Sequence, residues 1–252
     1  MRLERQDQIG IFIIDTDRNN AINMEFIREA HEIMDEAERD PAIRALIVTS
    51  THKSLFCPGV DLPTMINNSR EEMRAFFEVL TGIVRRKFAY PKPEVYALNG
   101  HTIAGGCMMA LAGDYRLMAK GRNYIGLMEI DIGLAVPIGV ATMITHVLGG
   151  RIANLILFTG ERYTPERALE LNIVDELVDK GRLIDRAIEH AQLLGSKPPN
   201  GYKRLKLYLR QSVVKEMRNL DEAHLDDQVN QWFEEETQKN VAAAVQRMTK
   251  AR

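Results

Sequence analysis

Apolar residues recur with a period of two near the start of the chain: in IGIFIID (9–15), Ile9, Ile11 and Ile13 fall on one side of a strand. RALIVTS (44–50) is continuously apolar at its centre and suits a strand covered on both faces. Between them the spacing changes to three and four. Ile27, Ala30, Met34 and Ala37 make one helical face, with Asn23 as its cap and Asp40-Pro41 as its stop. A second helix should begin at Ser69, because SREE (69–72) has the Ser-x-x-Glu form in which side chain and backbone cap each other. Met73, Phe76, Phe77, Leu80 and Val84 continue its apolar face until YPKP (90–93).

EVYALNG (94–100) reads as the next buried strand, IAGGCMMALAG (103–113) as a short helix entered through glycines, and DYRLMA (114–119) as a strand after it. Thr164 and Pro165 mark a helix start, with a short strand expected at 173–178. This alternation predicts an α/β core over residues 1–195. GSKPPNG (195–201) divides it from a helical region, 196–252, too small to hold a core alone. That region must pack on its own core or on another subunit, so an oligomer is expected. The helix carrying Leu225, Val229, Trp232 and Phe233 reads as packing or subunit interface.

Composition adds limits. With 252 residues, 45% hydrophobic and 27% charged, the chain is sized and composed for one globular domain. A net charge of −2 gives no general attraction to nucleic acid or to an anionic membrane. MRLERQDQIG lacks the apolar centre of a secretory signal, and no apolar run approaches the roughly 20 residues that a spanning helix needs. The two cysteines, Cys57 and Cys107, fit neither a zinc site nor a disulfide scaffold, and the six histidines show no metal spacing. A reducing, cytoplasmic setting without metal is the expectation.

Three segments carry candidate chemistry. Gly105-Gly106 leads a strand into a helix, leaving free N–H groups at the helix start and letting a ligand approach closely. Alone, such a pair more often serves only a tight turn and close helix packing. SLFCPGVDL (54–62) adds a second glycine turn after the strand at 44–50, so two N–H groups can converge on one carbonyl oxygen and stabilise charge there. YIGLMEIDIGL (124–134) sets Glu129 and Asp131 among apolar residues, where desolvation raises a carboxyl pKa toward general-base range; the alternative for each is a surface charge on a loop.

Taken in order and spacing, RNNAIN (18–23), FCPGVDL (56–62), NGHTIAGGCMMALAGDYR (99–116), IGLMEIDIGLAVPIG (125–139) and FTGERYTPERALELNIVDELV (158–178) resemble the enoyl-CoA hydratase/isomerase family, or crotonase superfamily, over nearly the whole chain. The resemblance implies an α/β fold, a spiral of ββα units with a carboxy-terminal helical region that makes homotrimers or homohexamers. It implies an acyl-CoA substrate, with coenzyme A as part of that substrate and no other cofactor, and an oxyanion hole at Val60 and Gly105. The family's hydratases carry a glutamate where this chain has Met108, whereas their second glutamate has its match in Glu129. One carboxylate suffices to move a proton from C2 to C4, so the resemblance is strongest to the Δ3,Δ2-enoyl-CoA isomerase branch, in fatty-acid metabolism. A hydratase in which Asp131 or a bound water replaces the missing acid, and a non-catalytic CoA-thioester or RNA-binding member, are the alternatives. By the same resemblance Arg18, Ala21, Asp61 and Leu62 would contact coenzyme A, Arg18 as phosphate partner, with Arg86 and Lys87 as substitutes if RRK (85–87) is not simply a solvated helix face. His101 is expected to pack the loop.

Overall fold

The computed structural model describes residues 1–17 and 19–250, the side chains of 249 and 250 excepted. The strands are β1 (Arg2–Gln6), β2 (Ile9–Ile14), β3 (Ala45–Ser50), β4 (Leu55–Cys57), β5 (Glu94–Leu98), β6 (His101–Ile103), β7 (Tyr115–Ala119), β8 (Ile125–Gly126) and β9 (Glu176–Val178). The helices are α1 (Met24–Arg39), α2 (Leu62–Met65), α3 (Arg70–Phe88), α4 (Gly105–Ala112), α5 (Ile138–Thr159), α6 (Pro165–Glu170), α7 (Leu183–Gly195), α8 (Pro199–Trp232) and α9 (Glu235–Lys250). Glu129–Ile132 forms a single tight 3-10 turn.

Six strands pair in the order β1-β2-β3-β5-β7-β9, antiparallel between β1 and β2 and parallel elsewhere. A smaller parallel sheet, β4-β6-β8, stands beside it. β3, β5 and β7 are each followed by a short strand that leaves the large sheet for the small one, which brings the ends of β4 and β6 together. Ile9, Ile11 and Ile13 share one face with Ala45, Ile47, Val95 and Ala97 beneath α7, while Phe12 and Ile14 point into the main core.

The caps form as the residues dictate. Asn23 Oδ1 accepts from Phe26 N at 2.8 Å, and Ser69 and Glu72 cap each other reciprocally. The strand expected at 173–178 is shorter: α6 ends at Glu170, Asn172 beyond its cap turns the chain with a φ of +56°, and Ile173 and Val174 drop into the core before β9 begins. One apolar segment is longer than expected. α5 has the length and composition of a membrane span, but Gly149, at φ +75°, breaks it into two helices.

The carboxy-terminal helices pack on their own core, where Met217, Val229, Trp232 and Val241 are buried. Asp114 anchors them. It accepts from Glu94 N at 2.8 Å, from Lys206 Nζ at 2.7 Å and from Arg210 at 2.9 Å, and Arg210 also donates to the carbonyls of Phe88 and Ala112. This is why an acid follows the apolar run of α4: the end of that helix is the seat of α8.

Candidate active site

Pairing of β4 with β6 sets the turn Pro58-Gly59-Val60 against Ala104-Gly105. Gly59 has φ +94°, and a Cβ on it would meet Ala104 Cβ at 2.7 Å and Gly105 N at 3.3 Å, so only glycine serves on both counts. A Cβ on Gly105 would lie 2.7 Å from Ile22 Cδ1. Ala104, at φ +52° and ψ −123°, holds a conformation that costs a non-glycine residue roughly 1–3 kcal/mol. That strain aims the first amides of α4.

Two N–H groups result. Ile22 N donates to Gly59 O at 2.7 Å and Ile22 O accepts from Asp61 N at 2.9 Å, a parallel bridge that leaves the N–H of Val60 facing the opposite side. Gly105 N–H opens a helix and has no acceptor within it. Both residues line one cavity of about 290 Å³.

Glu129 lines the same cavity. The residue is half-buried, but its Oε2 is enclosed and has no hydrogen-bond partner among the described residues. Loss of solvation pushes its carboxyl from 4.5 up to about 7, against hydrogen bonds from the backbone of Glu129 and Met128 that pull the other way. Among the described residues no charged group contributes to the shift. Met108, 2% exposed, borders the cavity where a second carboxylate would have stood in a hydratase-like motif. Asp131 also borders it but is exposed, packed near Gly160.

The remaining wall is apolar, with Met73, Phe76, Phe77 and Leu80 from α3 and Trp232 from the end of α8. Trp232 therefore does more than pack: at 1% exposure it fills the core and walls the cavity together. Ala244, Arg247 and Met248 of α9 close the edge, and Arg247 is the one cation lining the cavity among the described residues. No motif marks Arg247; only the return of α9 toward the tight turn at Glu129 brings it there.

Other expected contacts divide. Leu62 lines the cavity. Asp61 does not: its side chain is buried and accepts from Thr64 Oγ1 at 2.8 Å. Ala21 borders a separate depression with Asp15, Asp17 and Glu29, whose charge disfavours a phosphate. Arg18 lies outside the described residues. RRK is not a solvated face, because α3 is covered by neighbouring helices: Arg85 reaches Asp221 at 3.3 Å, Arg86 pairs with Asp35, and buried Lys87 pairs with Glu94 at 3.2 Å. None of the three lines the cavity. His101 packs as expected, its Nδ1 accepting from Tyr124 N at 3.1 Å and its ring stacked on Tyr124. Cys57 and Cys107 are free and buried, and burial raises both thiols, Cys57 to about 12.

Comparison with known proteins agrees with this geometry. Residues 5–248 match the enoyl-CoA hydratase/isomerase family. Enoyl-CoA delta isomerase 1, mitochondrial, of Rattus norvegicus is 29% identical over 188 residues, 73% of this chain; the match spans 65% of the rat protein's length. Short-chain-enoyl-CoA hydratase of Clostridium acetobutylicum is 26% identical over 80% of this chain and 77% of its own. In fold, the crystal structure of human mitochondrial delta3-delta2-enoyl-CoA isomerase superposes with a TM-score of 0.96 at 24% identity, covering 100% of this chain and 98% of that one. The chain belongs to the enoyl-CoA hydratase/isomerase family, the crotonase superfamily of acyl-CoA enzymes, and its two sheets with carboxy-terminal helices are the crotonase fold.

Proposed function

We propose that the protein moves the double bond of a 3-enoyl-CoA to the 2 position, with Glu129 as the only proton carrier. The observation that carries this reading is the desolvated carboxyl of Glu129 beside two N–H groups in a cavity walled mostly by apolar side chains, with exposed Asp131 and Arg247 at its border and Met108 where a hydratase's second acid would stand.

The thioester oxygen would accept hydrogen bonds from Val60 N–H and Gly105 N–H. Glu129, ionised, takes a proton from C2, and the electron pair of that C–H bond becomes the enolate held by the two amides. The enolate collapses as C4 takes the proton back from Glu129. The C2–C3 double bond forms, the C3–C4 one is lost, and the carboxylate is regenerated. Hydration needs a second group to hold and activate water, and the thioether of Met108 supplies none. Arg247 supplies positive charge at the cavity edge for the anionic end of coenzyme A. Exposed Leu205, Tyr208 and Leu209 on α8 support the homotrimer or homohexamer expected of the family.

The test is to incubate the protein with 3-hexenoyl-CoA and, separately, with crotonyl-CoA in heavy water, following products by mass spectrometry. Expected is 2-hexenoyl-CoA from the first, lowered about 10²–10⁴-fold in Glu129→Gln, and no water gained by the second. Hydration of crotonyl-CoA would make the protein a hydratase, with Asp131 the first candidate for the second acid.

A further inference from the structure

A second cavity, of about 330 Å³, lies directly behind the first, between α3, the first turn of α5 and the later part of α8. Phe77, Ala135, Pro137 and Gln228 line both cavities and so form the partition between them. Its backbone portion is tied down: Gln228 Nε2 donates to Ala135 O at 3.1 Å, and Gln231 Oε1 accepts from Ala135 N at 3.1 Å. Phe77 contributes the partition's one large apolar side chain, set edge-on to Trp232 with ring centroids 6.4 Å apart. Chemical character changes across that ring. On the Glu129 side stand Met73, Leu80 and Trp232; on the far side stand the Arg85–Asp221 pair and His224, with Asp221 also accepting from Gly139 N at 2.9 Å.

We propose that Phe77 sets the length limit of the acyl chain, which runs from a thioester held at Val60 and Gly105 along the apolar cavity and ends against the Phe77 ring. This rests on the reading of that cavity as an acyl-CoA isomerase site. A cavity of 290 Å³ amounts to about ten water-sized volumes of ~30 Å³; the thioester and reacting carbons take roughly six of these, leaving room for about four more carbons, so it is filled by an acyl chain of roughly eight carbons in all. Past that length a chain must displace the ring or stop outside, and the far cavity offers it charged groups.

The experiment measures kcat/KM for 3-enoyl-CoAs of about six to about sixteen carbons, together with calorimetric binding of the saturated acyl-CoAs of the same lengths. Each methylene buried ahead of the ring should raise kcat/KM roughly fourfold, and the rise should break where the chain meets Phe77. Phe77→Ala should move the break to chains longer by roughly two carbons or more, because it joins the two cavities. Phe77→Trp should move it to shorter chains. Ala141 lines the far cavity, so adding Ala141→Phe to Phe77→Ala should return the break toward its starting length, which general loosening would not produce. Should the alanine variant fail to fold, Phe77→Leu keeps apolar packing and should give a smaller shift in the same direction. A break unmoved by these changes, or no break at all, overturns the proposal. A break that moves in binding while no 3-enoyl-CoA is isomerised leaves the wall standing and defeats the isomerase reading.

Discussion

The chemistry of Glu129 follows from where its solvation goes. With the carboxyl at about 7, roughly half of the free protein carries the ionised base at neutral pH. The expected kcat/KM profile therefore rises about tenfold per pH unit on its acid side and levels above pH 7; a limb centred near 4.5 would mean the cavity is wet. The same burial has a stability consequence. Between pH 4.5 and 7 the folded chain keeps a proton that the unfolded chain has released, so stability falls as pH rises through that window, by up to about 3 kcal/mol. Glu129→Gln should remove that slope, seen as urea midpoints at pH 5 and pH 8 that differ less than in the parent. Met108 makes the complementary prediction. Met108→Glu places a further carboxylate on the cavity, and hydration of crotonyl-CoA should rise above that of the parent; like charges at close range will raise one of the two pKa values further, so the added activity should be greatest above pH 7.

At the scale of elements, the short strands position the site and α8 holds its roof. Gly59 and Gly105 matter because β4 and β6 are paired; without that pairing two glycine turns are only turns. α8 is fixed by the contacts of Lys206 and Arg210 with Asp114, all with largely buried side chains. Burial lowers the Lys206 ammonium, and Asp114 opposes that shift. Asp114→Ala would strand two buried cations, so it should cost about 3–5 kcal/mol in urea unfolding. Asp114→Asn should cost less, since an amide oxygen can still accept one hydrogen bond. Gain of stability in either variant would show that the cluster is not what seats α8.

For the whole molecule, the decisive event is the return of α9 over the cavity. Thr237 Oγ1 donates to Gly133 O at 3.3 Å, and Gly133 itself leaves room for Thr237, so α9 lies against the tight turn that carries Glu129. Removing residues from Glu235 onward should admit water to the carboxyl, return its pKa toward 4.5 and slide the acid limb of the activity profile downward, with a lower kcat. An unchanged limb would place the source of desolvation in α3 and Trp232 alone.

Much was legible along the chain because it depends on near neighbours. The periods of β2 and α1, the caps at Asn23, Ser69 and Thr164 and the two glycine turns are all local patterns, and local hydrogen bonding and burial enforce them, whereas the contrast of Glu129 with Met108 is legible only through the family resemblance. What no local pattern carries is which distant surfaces meet. Lys87 sits in a run that looks solvated, yet it is buried against Glu94 because helices cover α3 from several sides. Trp232 and Arg247 reach the cavity only because α8 and α9 fold back over it, and Phe77 becomes a partition only when α5 and α8 leave a void behind it. The sequence by itself determined the elements, the two glycine turns and a carboxylate set among apolar residues; the tertiary structure alone decided how dry Glu129 is and how much volume lies beside it, since desolvation and volume are properties of everything that packs around a point.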